Sequence, residues 1–503
     1  MNLFNYDDND EQSIFNYAKN LENKTFKDIL AMYNKSDIKE YHNPNDIDFL
    51  VEEDSSGYMI KEEAKGQLGN VLEKYYFGYK PNGEQKPDFS KVGIELKQTC
   101  VDKKKNGKYS AGERLSITNI SYNNPIEPDF YKSHVWTKIK RILLVHYLRD
   151  KSVERWDYPI LFVNLFTPPK EDLKIIIQDY NKINKKIESG LAHELSESDT
   201  MYLGACTKGA TAERSLRPQY YGDHTLAKKR NFCFKRQYMD YVLNNYVLKN
   251  KVPYESIIKN EGELENVSFE TYILNKINQH VGKTDIELCR EFHREYNNNK
   301  AQWNDLAFRM LGIKSNKAAE FEKANIVVKT IRIEENGKNK ESMSFPVLNF
   351  STFIHEDWED STLFNYFDTT QFLFVVFNRK DSSYTLTGTK LWHMPYNDLN
   401  DIVQNEWRMY QDTIRNCNSG LLTRIIYDDG HSVVKNALPG MKDTEIIHMR
   451  PHAKKAAYKL NDGYMQGDIA TDGDRLPNGE WMTKQSFWLN NKYILSQLNM
   501  EEE

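Results

Sequence analysis

Three residues in the run PDFSKVGIELK are of types that could act together on a phosphodiester: Asp88, Glu95 and Lys97. Asp88 directly follows Pro87 in a predicted turn, and Glu95 and Lys97 alternate on a predicted strand. Period-two alternation puts Glu95 and Lys97 on one face, with Ile94 and Leu96 on the other. Two carboxylates converging at the mouth of such a strand repel and share protons unless a cation lies between them. Mg²⁺ suits that position, because it takes one or two carboxylates together with phosphate and water. It would polarise the phosphoryl oxygen and acidify an attacking water. Lys97 beside it would orient that water and offset developing charge. The bland alternative is a solvated aspartate in a turn and an edge strand bearing a surface Glu/Lys pair.

The elements that must position these residues are legible around them. The run IKEEAKGQLGNVLEKYYFG predicts a helix with Leu68, Val71, Leu72 and Tyr75 on one face, stopping at Gly78. Glu73 lies on that helix, as a plain exposed glutamate or as a third acidic group of the site. KPNGEQKPD is turn chemistry, and VGIELKQTCV leaves it as a strand. RILLVHYL (141–148) and YPILFVNLF (158–166) predict further buried strands, and IIIQDYNKINKKIESG a long amphipathic helix. Lys138 precedes the first of those strands among Lys132, His134, Lys140 and Arg141, which makes a phosphate-facing role plausible beside a merely solvated one.

The formal net charge of −5 leaves no global positive field, so a nucleic-acid enzyme must concentrate its cations locally. Residues 204–236 do so. Lys208, Arg214, Arg217, Lys228, Lys229, Arg230, Lys235 and Arg236 face only Glu213 and Asp223, interleaved with Tyr220, Tyr221, Phe232 and Phe234. Such a segment can hold phosphates and reach base edges; a solvated face is the ordinary alternative. Five scattered cysteines without metal spacing predict reduced thiols, in a cytoplasmic setting. The longest apolar runs are too short for a membrane helix, and the polar, acidic N-terminus does not read as a signal peptide.

A chain of 503 residues predicts two domains, 1–250 and 251–503, joined within the polar stretch 246–265. The second half repeats the order of the first: a helical lead, the strand ANIVVKTIRI, the buried strand QFLFVVFN, a basic loop and a terminal helix.

KGQLGNVLEKYYFG, PDFSKVGIELKQT and SHVWTKIKRILLV closely resemble the active-site blocks of the MutH family of mismatch-repair nicking endonucleases. The likeness continues through YLGACTKGAT and AKKRNFCFKRQYMDYVL. At full length, KNGKYSAGERL, AHELSES, CTKGA, NKESMSF and WMTKQSFW are similar to the GATC-cutting type II restriction endonucleases built from two MutH-like halves. The resemblance implies two α/β restriction-endonuclease-like domains of the PD-(D/E)xK type, each a mixed sheet flanked by helices. It implies Asp88, Glu95 and Glu73 as acidic metal-site residues, Lys97 as the catalytic lysine and Lys138 as a further active-site lysine. It also implies Lys208 as a base-contacting residue. Cys233 stands where MutH has a methylation-sensing tyrosine, and Cys206 where its loop has an arginine. Cutting both strands regardless of adenine methylation is therefore the better expectation.

In the second half the same alignment sets Val327 against Glu95, Glu320 against Asp88, Ala307 against Glu73 and Lys329 against Lys97, with no lysine for Lys138. That half is expected not to cut. Its reading surface, with Arg450 and His452 in MRPHAKKAA and Lys484 and Gln485 in WMTKQSFWLNNKY, resembles the family's recognition loop. The implied role is to bind a second GATC site as an allosteric effector; a structural buttress is the alternative. Implied partners are double-stranded DNA, a second copy of the chain transiently on DNA, and a methyltransferase protecting the host's GATC sites. Two rivals stand beside this reading. A mismatch-repair nickase would stop at open circles, and a non-enzymatic DNA-binding regulator would be indifferent to loss of Asp88 or Lys97.

Overall fold

The computed structural model describes residues 5–35, 51–54, 57–60, 67–79, 86–104, 106–207, 216–250, 254–297, 299–339 and 342–499. The chain divides into two compact units. The first comprises Met1–His193, Thr200–Pro253 and Glu322–Ala324; the second comprises Glu194–Asp199, Tyr254–Phe321 and Asn325–Glu503. The chain passes between the units at several points, of which Pro253/Tyr254 is one.

In the first unit a four-stranded sheet carries Glu95–Lys103 between Tyr109–Ala111 and Ile142–Leu148, with Ile160–Phe166 at its edge. Glu95–Lys103 runs parallel to Ile142–Leu148, with Glu95 opposite Ile142; the other pairings are antiparallel. Parallel pairing needs a crossover. Here the connection includes the short helix His134–Ile139, whose Ser133 cap accepts from the Trp136 N–H. Leu143 and Val145 share a core with Leu96, Ile94 and residues of the leading helices Glu11–Lys19 and Phe26–Lys35. A second sheet sets Arg230–Phe234 between Leu115–Asn119 and Leu203–Thr207. The helix Lys170–Glu188 packs on its Leu203–Thr207 strand.

Among the described residues the second unit has counterparts of both sheets, the larger one with three strands in place of four. Ile326–Ile333 pairs in parallel with Gln371–Lys380, which pairs antiparallel with Ser383–Trp392. Gln485–Leu489 lies between Met343–Val347 and Ile447–Pro451. Gly93 (φ +73°) and Asn325 (φ +57°) are both left-handed, just before the equivalent strands. The backbone therefore places Val327 where the first unit has Glu95, as the sequence alignment does. The two mixed α/β bodies agree with the fold class expected. All five cysteines are buried free thiols. Among the described residues no helix is long and apolar enough to cross a membrane.

One expected element differs. The helix read across residues 60–78 is described only at Gln67–Asn70 and Val71–Tyr76, and its second turn is a π-turn, with Gly57–Ile60 a short strand before it. The rest of that run lies outside the described residues. Gly78, at φ +75°, supplies the expected stop. A π-turn widens the helix by one residue, and propensity does not encode it.

Gly93 closes the turn that delivers Asp88 to Glu95. Its positive φ suits glycine, and an added Cβ would come 3.3 Å from Lys140 Cε. Gly93→Ala should cost about 1–2 kcal/mol of unfolding free energy and slow the chemistry of the site with it. Urea melts indistinguishable from the parent would rule this out.

Candidate active site

The tight turn Phe89–Ile94 explains how residues seven apart in sequence meet. Phe89 and Ile94 exchange main-chain hydrogen bonds (2.9 and 3.2 Å), folding the chain back on itself. Asp88 and Glu95 flank that pair. The Asp88 N–H approaches Glu95 Oε2 at 3.3 Å, and Asp88 Oδ2 accepts from the Leu96 N–H at 2.9 Å. Glu95 is 2 % exposed, and each of its oxygens meets an ammonium: Oε1 meets Lys97 Nζ and Oε2 meets Lys138 Nζ, both at 2.8 Å. Lys138 Nζ also donates to the Lys86 carbonyl at 2.6 Å. Glu95 and Lys97 thus share a strand face as the alternation predicts, and Lys138 arrives from the crossover helix.

Glu73 sits in the π-turn. Its helix lies close to the catalytic strand because Gly69 has no side chain: a Cβ there would come within 3.3 Å of the Gln98 amide nitrogen. Burial raises the Glu73 carboxyl; the Lys97 charge lowers it and the Glu95 charge raises it. The glutamate is therefore within electrostatic reach of Glu95, Lys97 and Lys138. Burial, and next the Glu95 charge, push Asp88 up to about 7, against the Leu96 N–H and the two lysines. Tyr79 is half-buried beside the group with its hydroxyl enclosed, and that hydroxyl is raised by burial and then by Asp88, Glu73 and Glu95. That hydroxyl has no hydrogen-bond partner among the described residues.

The donor set fits a hard divalent cation. Its acidic groups are oxygen donors, and the burial and the Glu95 charge that together hold Asp88 up are what such an ion offsets. Asp88 and Glu95 are the adjoining pair of carboxylates; among the described residues no three acidic, imidazole or thiol groups are gathered as a ready metal site, so Glu73 does not complete one as it stands. Because both Glu95 oxygens are engaged by lysines, a cation taking Glu95 must exchange with an ammonium contact.

The second unit does not rebuild this group. Val327 replaces Glu95, and Ala307 is buried in the helix Lys300–Met310. Glu320 is buried but turned to the chain leading into the unit, accepting from the Ser256 hydroxyl and from the Ile257 and Ile258 N–H groups. Burial lowers the Lys329 ammonium, and the charge it feels is that of another cation, Lys300.

The predicted DNA-contacting residues divide in three. Lys208 and Arg214 lie outside the described residues. Arg217 is exposed, Lys228 and Lys229 are half-buried, and Arg450 is exposed, its guanidinium 4.9 Å from the Trp488 ring. His452 is exposed beside Ser486 (2.8 Å), and Lys484 reaches the Thr471 carbonyl at 2.6 Å. Arg230, Lys235 and Gln485 are turned inward, which the charge pattern did not foretell. Arg230 donates to the Ala205 carbonyl (2.7 Å), Lys235 to the Thr200 carbonyl, and Gln485 to the Thr483 carbonyl (2.8 Å). In this conformation all three are buried; Arg230 and Lys235 tie neighbouring segments together, and Gln485 caps a carbonyl two residues back on its own chain. Cys206 and Cys233 are likewise buried.

Two buried carboxylates were missed by sequence reasoning, Asp179 and Glu406, each gripping three successive main-chain N–H groups. An acidic residue in an amphipathic helix carries no signal of its own. Only its recurrence at matching places in both halves could have exposed it.

With an Asp/Glu/Lys group at the head of a parallel strand on such a sheet, the chain is similar to nucleases of the MutH class. The family model for the DNA mismatch repair enzyme MutH matches residues 77–179 and 311–405, one stretch from each half. The chain is 35% identical over 479 residues to the type II restriction enzyme Sau3AI of Staphylococcus aureus, covering 88% of this chain and 94% of that one. It is 23% identical over 211 residues to the mismatch repair protein MutH of Vibrio parahaemolyticus (41% of this chain, 91% of that one). To the Escherichia coli MutH it is 24% identical over 190 residues (37% and 79%). The chain belongs to the family of MutH-like type II restriction enzymes. It is a site-specific deoxyribonuclease.

Asp88 gives a stability test. Its folded pKa lies above the ordinary carboxylate value, so its contribution is complete in acid and is lost as pH rises through about 7. Asp88→Asn should therefore stabilise the metal-free protein at pH 8, by up to about 4 kcal/mol, while abolishing cleavage. The stability gain should shrink towards pH 4. Urea melts in chelator at both pH values would show it, and an equal or less stable variant at pH 8 would contradict it.

Proposed function

We propose that the first unit cuts double-stranded DNA at 5′-GATC-3′ with Mg²⁺, and that the second unit binds another copy of the site and stimulates that cutting. The observation that carries the reading is the contrast between the halves: Glu95, Asp88, Lys97 and Lys138 converge in one, and Val327 stands at the equivalent place in the other. Mg²⁺ held by Asp88 and Glu95, with Glu73 alongside, would supply a polarised phosphoryl oxygen and an acidified water. Lys97 would orient the attacking water and balance charge on the phosphate. Lys138, tied to the Lys86 carbonyl, would hold Glu95 in place and offer a second cation to the DNA backbone. Burial around Glu95 excludes bulk water and strengthens each of these contacts.

The GATC assignment follows the resemblance in the sequence and the full-length likeness to Sau3AI. In the second unit, Arg450 backed by Trp488 is suited to a bidentate guanine contact, with His452 nearby. One competent site per chain means that cutting both strands requires two molecules meeting on DNA, or two successive nicks. The same reading expects a methyltransferase that shields the host's own sites.

Incubation with Mg²⁺ and unmethylated plasmid should give many short fragments with ends at GATC; ends elsewhere overturn the specificity, and products stopping at open circles favour a nickase. Chelator, Asp88→Ala or Lys97→Ala should each reduce cutting at least ~100-fold. A variant retaining full restriction in cells would point instead to a non-enzymatic regulator. Arg450→Ala should weaken binding of a second GATC duplex by about 1–3 kcal/mol and remove its stimulation of cleavage. Undiminished stimulation by added duplex would refute the effector role.

A further inference from the structure

The two units share a device, although only the first carries the acidic group. In the first, the buried Asp179, on the helix Lys170–Glu188, accepts from the N–H groups of Met201, Tyr202 and Leu203 at 2.7, 2.6 and 2.9 Å. Leu203 opens the strand Leu203–Thr207. In the second, Glu406, on the helix Gln404–Arg415, accepts from the N–H groups of Glu445, Ile446 (3.2 Å) and Ile447 (2.8 Å), and Ile447 opens the strand Ile447–Pro451. The strand registers make these equivalent: Leu203 pairs with Phe234 as Ile447 pairs with Leu489.

The neighbourhood is matched as well. Lys235, one past Phe234, donates to the Thr200 carbonyl, and Asn490, one past Leu489, donates to the Thr444 carbonyl at 3.0 Å. Tyr238 donates to Asp172 at 3.1 Å, and Tyr493 to Asp398 at 2.6 Å. A lysine in one unit is an asparagine in the other, and the aspartate is a glutamate, yet the carboxylate and its three N–H donors remain. The constant element is the grip on the main chain, not an ion pair.

Both gripped strands lie at the edge of their three-stranded sheets. An edge strand is hydrogen-bonded to neighbours on one side only, so its position is otherwise loosely determined. Three residues on from Ile447, about 10 Å along the strand, stands Arg450; the equivalent position in the first unit is Cys206, shortly before Lys208. Contacts to base edges tolerate misplacement of only about 0.5 Å.

We propose that Asp179 and Glu406 are positioning residues for sequence reading, each fixing through three consecutive main-chain N–H groups the edge strand that leads into its unit's base-contacting segment. This rests on the reading that those segments contact DNA. The test uses the full chain and a duplex carrying whichever sequence the wild type is found to cut. A wrong GATC assignment then appears in the mapped ends, and a failure of positioning appears in the discrimination measured on that duplex.

Asp179→Asn turns an amide NH₂ towards N–H donors. It should lower the ratio of cleavage rates between that duplex and one with a single exchanged base pair at least tenfold. The double variant Asp179→Asn/Glu406→Gln, in a Lys97→Ala background, should lose at least tenfold in the corresponding ratio of affinities. Its affinity for the exchanged duplex should stay within twofold. Ratios within twofold of the parent, or affinities that fall together on both duplexes, would overturn the proposal. Hydrogen exchange on the wild type gives a reading independent of variant folding. The amides of 201–203 and 445–447 should exchange at least 100-fold more slowly than exposed loop amides, and exchange at loop rates would also overturn it.

Discussion

Glu95 is a carboxylate almost wholly removed from water, and the first unit is arranged around making that tolerable. An isolated buried charge costs several kcal/mol, so each Glu95 oxygen is met by an ammonium, one from its own strand and one from the crossover helix. This couples the site to the topology. Lys138 reaches Glu95 only because the strands Glu95–Lys103 and Ile142–Leu148 run parallel with Ile142 opposite Glu95. The turn at Gly93 then delivers Asp88 to the same place, and Gly69 allows the helix bearing Glu73 to lie close. In the second unit, where Val327 stands in place of Glu95, the acidic group is gone, although Lys329 remains at the position of Lys97.

Much of this was legible in the residues. Alternation put Glu95 and Lys97 on one face, and the apolar runs at 141–148 and 158–166 became strands. Asp88 was correctly placed at the strand's mouth, although the turn's hydrogen bonds were not foreseeable. The π-turn under Glu73 was not legible, because widening a helix by one residue leaves no compositional mark. Nor was the inward direction of Arg230, Lys235 and Gln485. A basic cluster states how much charge is present, and the pleat and packing decide which heads face solvent. Arg230 and Lys235 donate to the carbonyls of Ala205 and Thr200 in the neighbouring segment.

The halves preserve different things. In the second, the group around Glu95 has no counterpart, while the three-stranded sheet, the carboxylate grip and the terminal helix persist in register. Where the first unit has small buried thiols at 206 and 233, the second has an exposed arginine stacked on a tryptophan. The same scaffold thus presents two different surfaces at equivalent positions.

Asp179 follows Asp172 by seven positions, but Glu406 follows Asp398 by eight. The helical segment Asp398–Val403 is a π-turn, which takes up one residue more than an α-turn. The additional residue is absorbed locally, and both carboxylates still find their partners, one on a tyrosine and the other on the strand. A duplicated gene can therefore gain a codon inside a helix without rotating what lies beyond it. Two halves aligned without a gap at that point would appear to have lost a correspondence that their backbones retain.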